Sequence, residues 1–406
     1  MTIRVYRERG LASLISRVFS YVKDIMIGLF YLLKYSNDYD VLYVSGCPGG
    51  SRFYRCYNQS EELGKYGIRS GILSQDNIFI KNIVKKFKIF VFQRVVYNSH
   101  IKEVIEEIKK QNKLIVYETD DLVFDPKYIP DMHYYNFMSK REKGWYENGI
   151  GREILEDKYV KNCVVSTDYL YEKLKEKYPD KNIFISYNKL SDKQIFWANN
   201  ALNKKDKIKP KDGKIRIGYF SGSKSHDNDF ETISKVLLKI LKENKKAVLM
   251  LAGHLDVNKD FFEVKDQIEK IDFVPIKRFS ELLLRADINI APLESDNPFC
   301  QSKSALKYFE SGLVGVPTVA TATKSFRKVI DNGKNGFLAE SEDGWYEYLK
   351  ELIENKELRE SMGKRAKEDS FSRYASGNEG RTSDFVEFIK KYLKNFSKED
   401  NDGQDY

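Results

Sequence analysis

Short apolar runs exchange with amphipathic helical stretches along almost the whole chain, and they do so in two sets. The first set is "YDVLYVSG" (39–46), "RSGILS" (69–74), "IFVFQRV" (89–95), "KLIVYET" (113–119), "NCVVST" (162–167) and "IFISYN" (183–188). Helical patterns such as "NSHIKEVIEEIKKQ" (98–111) and "DYLYEKLKEKY" (168–178) stand between them. The second set is "IRIGYFSG" (215–222), "AVLMLAG" (247–253), "IDFVP" (271–275), "INIAPL" (288–293), "PTVAT" (317–321) and "GFLAE" (336–340). Runs of this kind are strands of parallel sheets covered by helices on both faces. The lysine-rich stretch "NNALNKKDKIKPKDGK" (199–214) carries Pro and Gly and reads as a linker. The expectation is an α/β protein of two doubly wound, Rossmann-like domains: 37–198, the linker 199–214, then 215–372. A last helix and polar tail follow at 373–406, with "SKEDNDGQDY" expected to be disordered.

Ahead of the first strand, residues 1–36 form an amphipathic helix. Leu11, Leu14, Ile15, Val18, Phe19, Val22, Ile25, Met26, Leu29, Phe30 and Leu33 recur at helical spacing, with Arg17, Lys23 and Lys34 off the stripe. The densest run, "IMIGLFYLL", is short of the roughly 20 residues that span a bilayer, and no small-residue cleavage site follows it. Such a stripe either lies in a membrane interface, a peripheral contact through residues 10–35, or packs on the following domain.

Lysine and arginine (69) exceed aspartate and glutamate (60), a formal charge of +9 that suits anionic partners. The charges are interleaved and no nucleic-acid-reading motif is present, so nucleic acid is not an expected partner. Cys47, Cys56, Cys163 and Cys300 show neither zinc nor redox-pair spacing, which fits a reducing cytoplasm.

Open parallel sheets bind ligands beyond the carboxyl ends of their strands, so the loops after each run are the ones to inspect. In "SGCPGGSRFYRC" (45–56), Gly46, Gly49 and Gly50 permit either close approach of a ligand or a plain tight turn, with Arg52 and Arg55 nearby. In "VYETDDLVFDP" (116–126), Glu118, Asp120, Asp121 and Asp125 leave one strand together. Acid–base work, hydrogen bonds to sugar hydroxyls, a metal or helix capping each account for such a cluster. In "YFSGSKSHDNDF" (219–230), Ser221, Gly222, Ser223 and Lys224 offer amides, hydroxyls and an ammonium to a diphosphate; His226 either reaches the same place or is an exposed turn residue.

"QSKSALKYFESGLVGVPTVAT" (301–321) carries the most chemistry. A helix starting near Ser302–Ser304 would present free amides and the Lys303 ammonium to an anion. Glu310, two turns on, would accept from the paired hydroxyls of a ribose. Phosphate at one end and ribose at the other describe a nucleotide; a surface helix with a Lys–Glu pair is the alternative.

At "ADINIAPL", "KSALKYFESGLVGVPTVAT" and "VIDNGKNGFLAE" the sequence resembles nucleotide-sugar glycosyltransferases of the GT-B fold, closest to glycosyltransferase family four, and "YETDDLVFD" resembles the bacterial surface-polysaccharide members. The resemblance covers roughly residues 40–370. It implies two domains facing a cleft and transfer, with retention, of a sugar from a nucleoside diphosphate to a glycan or lipid-linked acceptor. It also implies no metal cofactor and a cytoplasmic site of action, at the inner face of the membrane if the N-terminal helix binds there. Glu310 fits the second glutamate of the family's paired-glutamate motif, whereas Ser302 stands at the first.

Lys224 and Lys303 are the cations left to stabilise the departing diphosphate, and Asp120–Asp121 stand where many members carry a histidine. The resemblance places the donor at Gly49, Gly50, Gly222, Ser223, Lys224, Ser302, Lys303, Ser304 and Glu310. The base falls in the loop Val274 to Arg278, including Pro275 and Lys277. On the acceptor side stand Arg52, Arg55 and Glu118. The departures leave two rivals: a non-catalytic homologue that binds a nucleotide sugar or a partner glycosyltransferase, and a nucleotide-sugar epimerase on the same fold.

Overall fold

The computed structural model describes residues 2–34, 39–221, 227–253, 255, 257–377 and 383–402. The first domain holds β1 (Val41–Ser45), β2 (Ser70–Ser74), β3 (Ile89–Gln93), β4 (Leu114–Thr119), β5 (Asn162–Val165) and β6 (Asn182–Ile185). The second holds β7 (Ile215–Ser221), β8 (Ala247–Gly253), β9 (Ile268–Ile271), β10 (Ile288–Ala291), β11 (Thr318–Thr321) and β12 (Phe337–Ala339). Each set makes one six-stranded sheet, in the orders β2-β1-β3-β4-β5-β6 and β12-β11-β10-β7-β8-β9. Every strand pairing is parallel.

Strand order reverses between β1 and β3 in one sheet and between β7 and β10 in the other, and ligand crevices open at such reversals. The loops leaving β1, β3, β7 and β10 therefore define where a site belongs.

β1, β3, β5, β10 and β11 are buried along their whole lengths, because helices cover both faces of each sheet. Period-two alternation sorts β1 accordingly. Leu42 and Val44 join the core on one face; Val41 and Tyr43 join the other, where Phe385, Val386 and Ile389 of the last helix complete it. That helix, Asp384–Asp402, thus returns to the first domain after the chain has built the second. It also runs into the expected disordered tail, which is helical as far as Asp402.

Two further expectations need correction. The stretch 199–214 is not open linker: helices Asp192–Leu202 and Lys205–Ile208 occupy its first half, and Asp212 is clamped by both terminal nitrogens of Arg216 at 2.9 and 2.7 Å. The strand expected at 271–275 is β9, which ends at Ile271; the half-exposed "IEKI" is an edge strand, paired on one side only.

The N-terminal helix, Thr2–Leu33, has two apolar faces. On one, Ile27, Tyr31 and Leu32 pack against the first core, and buried Asp24 accepts from Arg52 Nη2 (2.8 Å), the Ser74 amide (3.0 Å) and Asn77 Nδ2 (3.0 Å). Gly28 permits this approach, since a Cβ there would lie 2.5 Å from the Asn77 side chain. On the other face Val18, Phe19, Val22, Met26, Phe30 and Leu33 are exposed, Phe19 at 71% and Leu33 at 74%. Packing accounts for one side and leaves a second stripe uncovered. Among the described residues no helix is long and apolar enough to cross a membrane.

Candidate functional site at the domain cleft

On the first domain the site is assembled from the ends of β1, β3 and β4. Gly46 is required by its neighbour rather than by a ligand, because a Cβ there would lie 2.0 Å from the Arg94 carbonyl oxygen. Gly49 (φ +80°) and Gly50 lie open on the surface just beyond it, with nothing within 4 Å of a Cβ at either.

The chain then enters a helical turn of i→i+5 type, Phe53–Tyr57, that buries Tyr54, Arg55 and Cys56. Arg55 is thereby committed to structure. Its Nε bonds Glu118, and its Nη1 donates to the Ser186 carbonyl (2.6 Å) and to Asn188 Oδ1 (2.9 Å), all out of contact with solvent. Burial pushes the Glu118 carboxyl up to about 7 against the pull of Arg55. Arg52 is held by Asp24 of the N-terminal helix. The three residues expected to face an acceptor thus form a buried strut and a helix latch.

Arg94, at the end of β3, is the residue that sequence reasoning missed. It adopts φ +47°, rare for a side chain of its size, and this aims its guanidinium at the β4 carboxylates. Nη1 lies 2.8 Å from Asp121 Oδ2 and 3.3 Å from Asp120 Oδ1. Asp120 also accepts from Ser51 Oγ, itself bonded by Gln93 Nε2 at 2.9 Å. Across the cleft, Lys303 Nζ sits 2.7 Å from Asp121 Oδ1, so Asp121 lies between a cation of each domain. Among the described residues no three His, Cys, Asp or Glu side chains converge as metal ligands.

On the second domain the expected helix start at Ser302–Ser304 is not found. Asn297 caps a short helix, Pro298–Gln301, and the chain breaks before the next, Leu306–Gly312. The Ser302 and Lys303 amides close the first turn by donating to the Pro298 (3.1 Å) and Cys300 (3.1 Å) carbonyls. The Ser302 hydroxyl donates to the Phe299 carbonyl at 2.6 Å. These amides are spent locally and are not free for an anion. Ser304 instead accepts from Asn188 Nδ2 (2.8 Å), and Thr167 Oγ1 donates to the Ser302 carbonyl (3.2 Å), tying the segment to the first domain.

Glu310 faces the cleft from the helix Leu306–Gly312. Its carboxylate accepts from the Tyr54 hydroxyl, which in turn accepts from Gln194 Nε2 at 2.8 Å. Burial pushes Glu310 up to about 7, opposed by Tyr54 and by the charge of Lys307. A narrow pocket beside it is lined by Gln194, Trp197, Ile276, Phe279, Ser280, Leu283, Glu310 and Leu313. Pro275, Lys277 and Arg278 occupy the exposed turn next to this pocket, and it is their neighbours Ile276 and Phe279 that line it. Past the helix, Gly315 (φ +74°) makes the turn into β11. Gly222, Ser223, Lys224 and His226 lie outside the described residues.

One carboxylate thus lies beside a narrow slot, in the domain whose strand order reverses between β7 and β10. Residues 202–369 match the family of glycosyl transferases group 1. The group 1 segment covers β7 to β12 and both short helices around Lys303. No curated protein matches the chain. Among solved structures, a glycosyltransferase from Rickettsia africae superposes with a TM-score of 0.60 at 15% identity, over 89% of this chain and 100% of that one. HepE of Anabaena, in complex with UDP and glucose, gives 0.56 at 10% over 89% and 100%. WaaG, a glycosyltransferase involved in lipopolysaccharide biosynthesis, gives 0.56 at 14% over 84% and 97%. At these identities the likeness is one of fold: two parallel α/β domains in the GT-B arrangement.

Proposed function

We propose that the protein is a glycosyltransferase that moves a sugar, a hexose or a close relative, from a nucleoside-diphosphate donor to an acceptor across the cleft. The observation that carries this reading is the Glu310 carboxylate at the rim of the Trp197–Ile276–Phe279 slot, within a segment that matches glycosyl transferases group 1. As it stands the slot has room for about one water, so a base enters only as the slot opens, and its ribose diol then meets a carboxylate able to accept two hydrogen bonds. Lys303, with Lys224 from outside the described residues, supplies positive charge for the departing diphosphate, where charge develops in the transition state. That phosphate takes the acceptor proton in a retaining, front-face transfer that uses no metal. Asp120 and Asp121, fixed by Arg94, orient the acceptor.

The acceptor in this reading is a growing cell-surface glycan or a lipid-linked sugar. Two things favour it: WaaG acts in lipopolysaccharide biosynthesis, and the N-terminal helix leaves an apolar stripe exposed. The protein then works in the cytoplasm, against the inner face of the membrane. One observation favours a second reading, a nucleotide-sugar binding module without turnover. Ser302 stands at the first position of the paired-glutamate motif, and its hydroxyl and amide are both bonded internally. Incubating the protein with UDP-, GDP-, ADP- and dTDP-sugars, with and without lipid acceptor, separates the two. Donor consumption supports transfer, binding without consumption supports the module, and no binding removes both.

A further inference from the structure

Lys307 lies one turn before Glu310 on the helix Leu306–Gly312, and its Nζ is shielded from solvent without a hydrogen-bond partner. It sits 4.4 Å from the centroid of the Tyr219 ring, on β7, one of the two strands at the order reversal. The Lys307 backbone is fixed from the other strand, β10, whose Asn289 Nδ2 donates to its carbonyl at 3.0 Å. Among the described residues the charged groups facing the ammonium are Asp229 and Glu310. Both are engaged elsewhere: Asp229 Oδ1 accepts from Cys300 Sγ at 3.3 Å and from the Glu294 amide at 3.4 Å, and Glu310 accepts from Tyr54. Burial lowers the Lys307 ammonium to about 8.

A shielded cation with no acceptor is a costly arrangement, and a ligand that brings its own acceptor relieves it. Lys303, the cation expected for this task, is already paired with Asp121. Lys307 and Glu310 lie on one helix face, three residues apart. That separation is comparable to the one between a ribose diol and the diphosphate on the same nucleotide. We infer that Lys307 is a phosphate-binding residue of the donor site, donating to a diphosphate oxygen of the nucleotide whose ribose Glu310 holds. This inference rests on the proposed donor site.

The test compares UDP, GDP, ADP and dTDP, each with its own nucleoside, by titration calorimetry. Lys307→Met is expected to weaken the best diphosphate by about 10- to 100-fold, the equivalent of one charge-assisted hydrogen bond, and to leave the matching nucleoside unchanged. The ligand-free melting temperature should hold or rise, since an unpaired charge is removed. Lys307→Arg should recover part of the affinity. In the wild type, titrations near pH 8.5 in Tris and in HEPES should reveal proton uptake on diphosphate binding that Lys307→Met lacks. Equal losses for diphosphate and nucleoside, or wild-type binding without proton uptake, overturn the inference and leave the donor site standing. If the wild type binds none of the four diphosphates, the donor site and this inference fall together.

Discussion

The phenol of Tyr54 on the first domain donates to the carboxylate of Glu310 on the second, 256 residues away in sequence. The group assigned to the donor ribose is therefore already satisfied by a side chain from across the cleft, and a nucleotide must displace it. Removing the hydroxyl by Tyr54→Phe should leave a buried acceptor short of a partner, at a cost of roughly 1–3 kcal/mol of stability. It should also remove the competitor. The best-binding nucleoside diphosphate is expected to bind several-fold more tightly to Tyr54→Phe, in a protein that melts earlier. Weaker binding by this variant would mean that the phenol contacts the nucleotide instead of competing with it.

Glu310 also sets a pH dependence. Its folded-state pKa of about 7 stands above the ordinary 4.5, so the native state holds a proton that the unfolded chain releases between these values. The contribution of this group to stability is then most favourable below about pH 4.5 and falls as pH rises toward 7. Glu310→Gln keeps the shape and removes the titration. The stability of the wild type relative to Glu310→Gln, followed by denaturant unfolding, should decline by a few kcal/mol between about pH 5 and pH 7.5. A constant difference across that range would show that Glu310 is not desolvated.

How much of this was legible in the chain depends on the range of the interaction concerned. Parallel strands buried on both faces are continuous apolar runs, so β1, β3, β10 and β11 stand out in the sequence. β9 does not, because "IEKI" is a half-exposed edge strand and the apolar run in the sequence begins only at its last residue, Ile271. The break at 302–305 did have a local signal: Asn297-Pro298 caps a helix that starts there, four residues before the expected start. Tyr54 and Arg94 had none. Tyr54 reaches the cleft through an i→i+5 turn and meets Glu310 only through tertiary structure, and Arg94 depends on a left-handed backbone that no motif announces. Conversely, Arg55 and Glu118 looked like site residues because charge at a strand end usually faces solvent. Here each neutralises the other inside the fold.

Asp121, between Arg94 and Lys303, links the two domains by charge. Asp121→Asn keeps the shape and removes the charge, leaving Asp120 as the carboxylate paired with Arg94. Turnover is expected to drop at least tenfold, with nucleoside-diphosphate affinity held within about threefold, because the proposed reaction uses this carboxylate to orient the acceptor. Initial rates together with calorimetry check this. A variant that loses affinity in proportion to turnover would move Asp121 to the donor side of the cleft.

The N-terminal helix separates anchoring from adhesion by its two faces. Asp24 anchors: it is buried and bonded to Arg52, Ser74 and Asn77, so Asp24→Ala leaves Arg52 uncompensated and should cost about 3–5 kcal/mol. Faster hydrogen exchange along 20–33 is the expected readout. Phe19, Phe30 and Leu33 are exposed by 71%, 56% and 74%, and Phe30 meets its sequence neighbours Tyr31 and Lys34. Each would contribute about 1.5–3 kcal/mol if buried in an apolar phase. Within residues 1–34, Arg4, Arg7, Arg9, Arg17, Lys23 and Lys34 outnumber Glu8 and Asp24, which favours an anionic surface over a neutral one. The triple substitution Phe19→Ser, Phe30→Ser, Leu33→Ser should therefore abolish co-sedimentation with phosphatidylglycerol vesicles and leave the melting temperature unchanged. Phosphatidylcholine vesicles should retain little of either protein. If the triple variant and the wild type sediment alike, the exposed stripe has no part in membrane contact, and the proposed location at the inner membrane face loses its support.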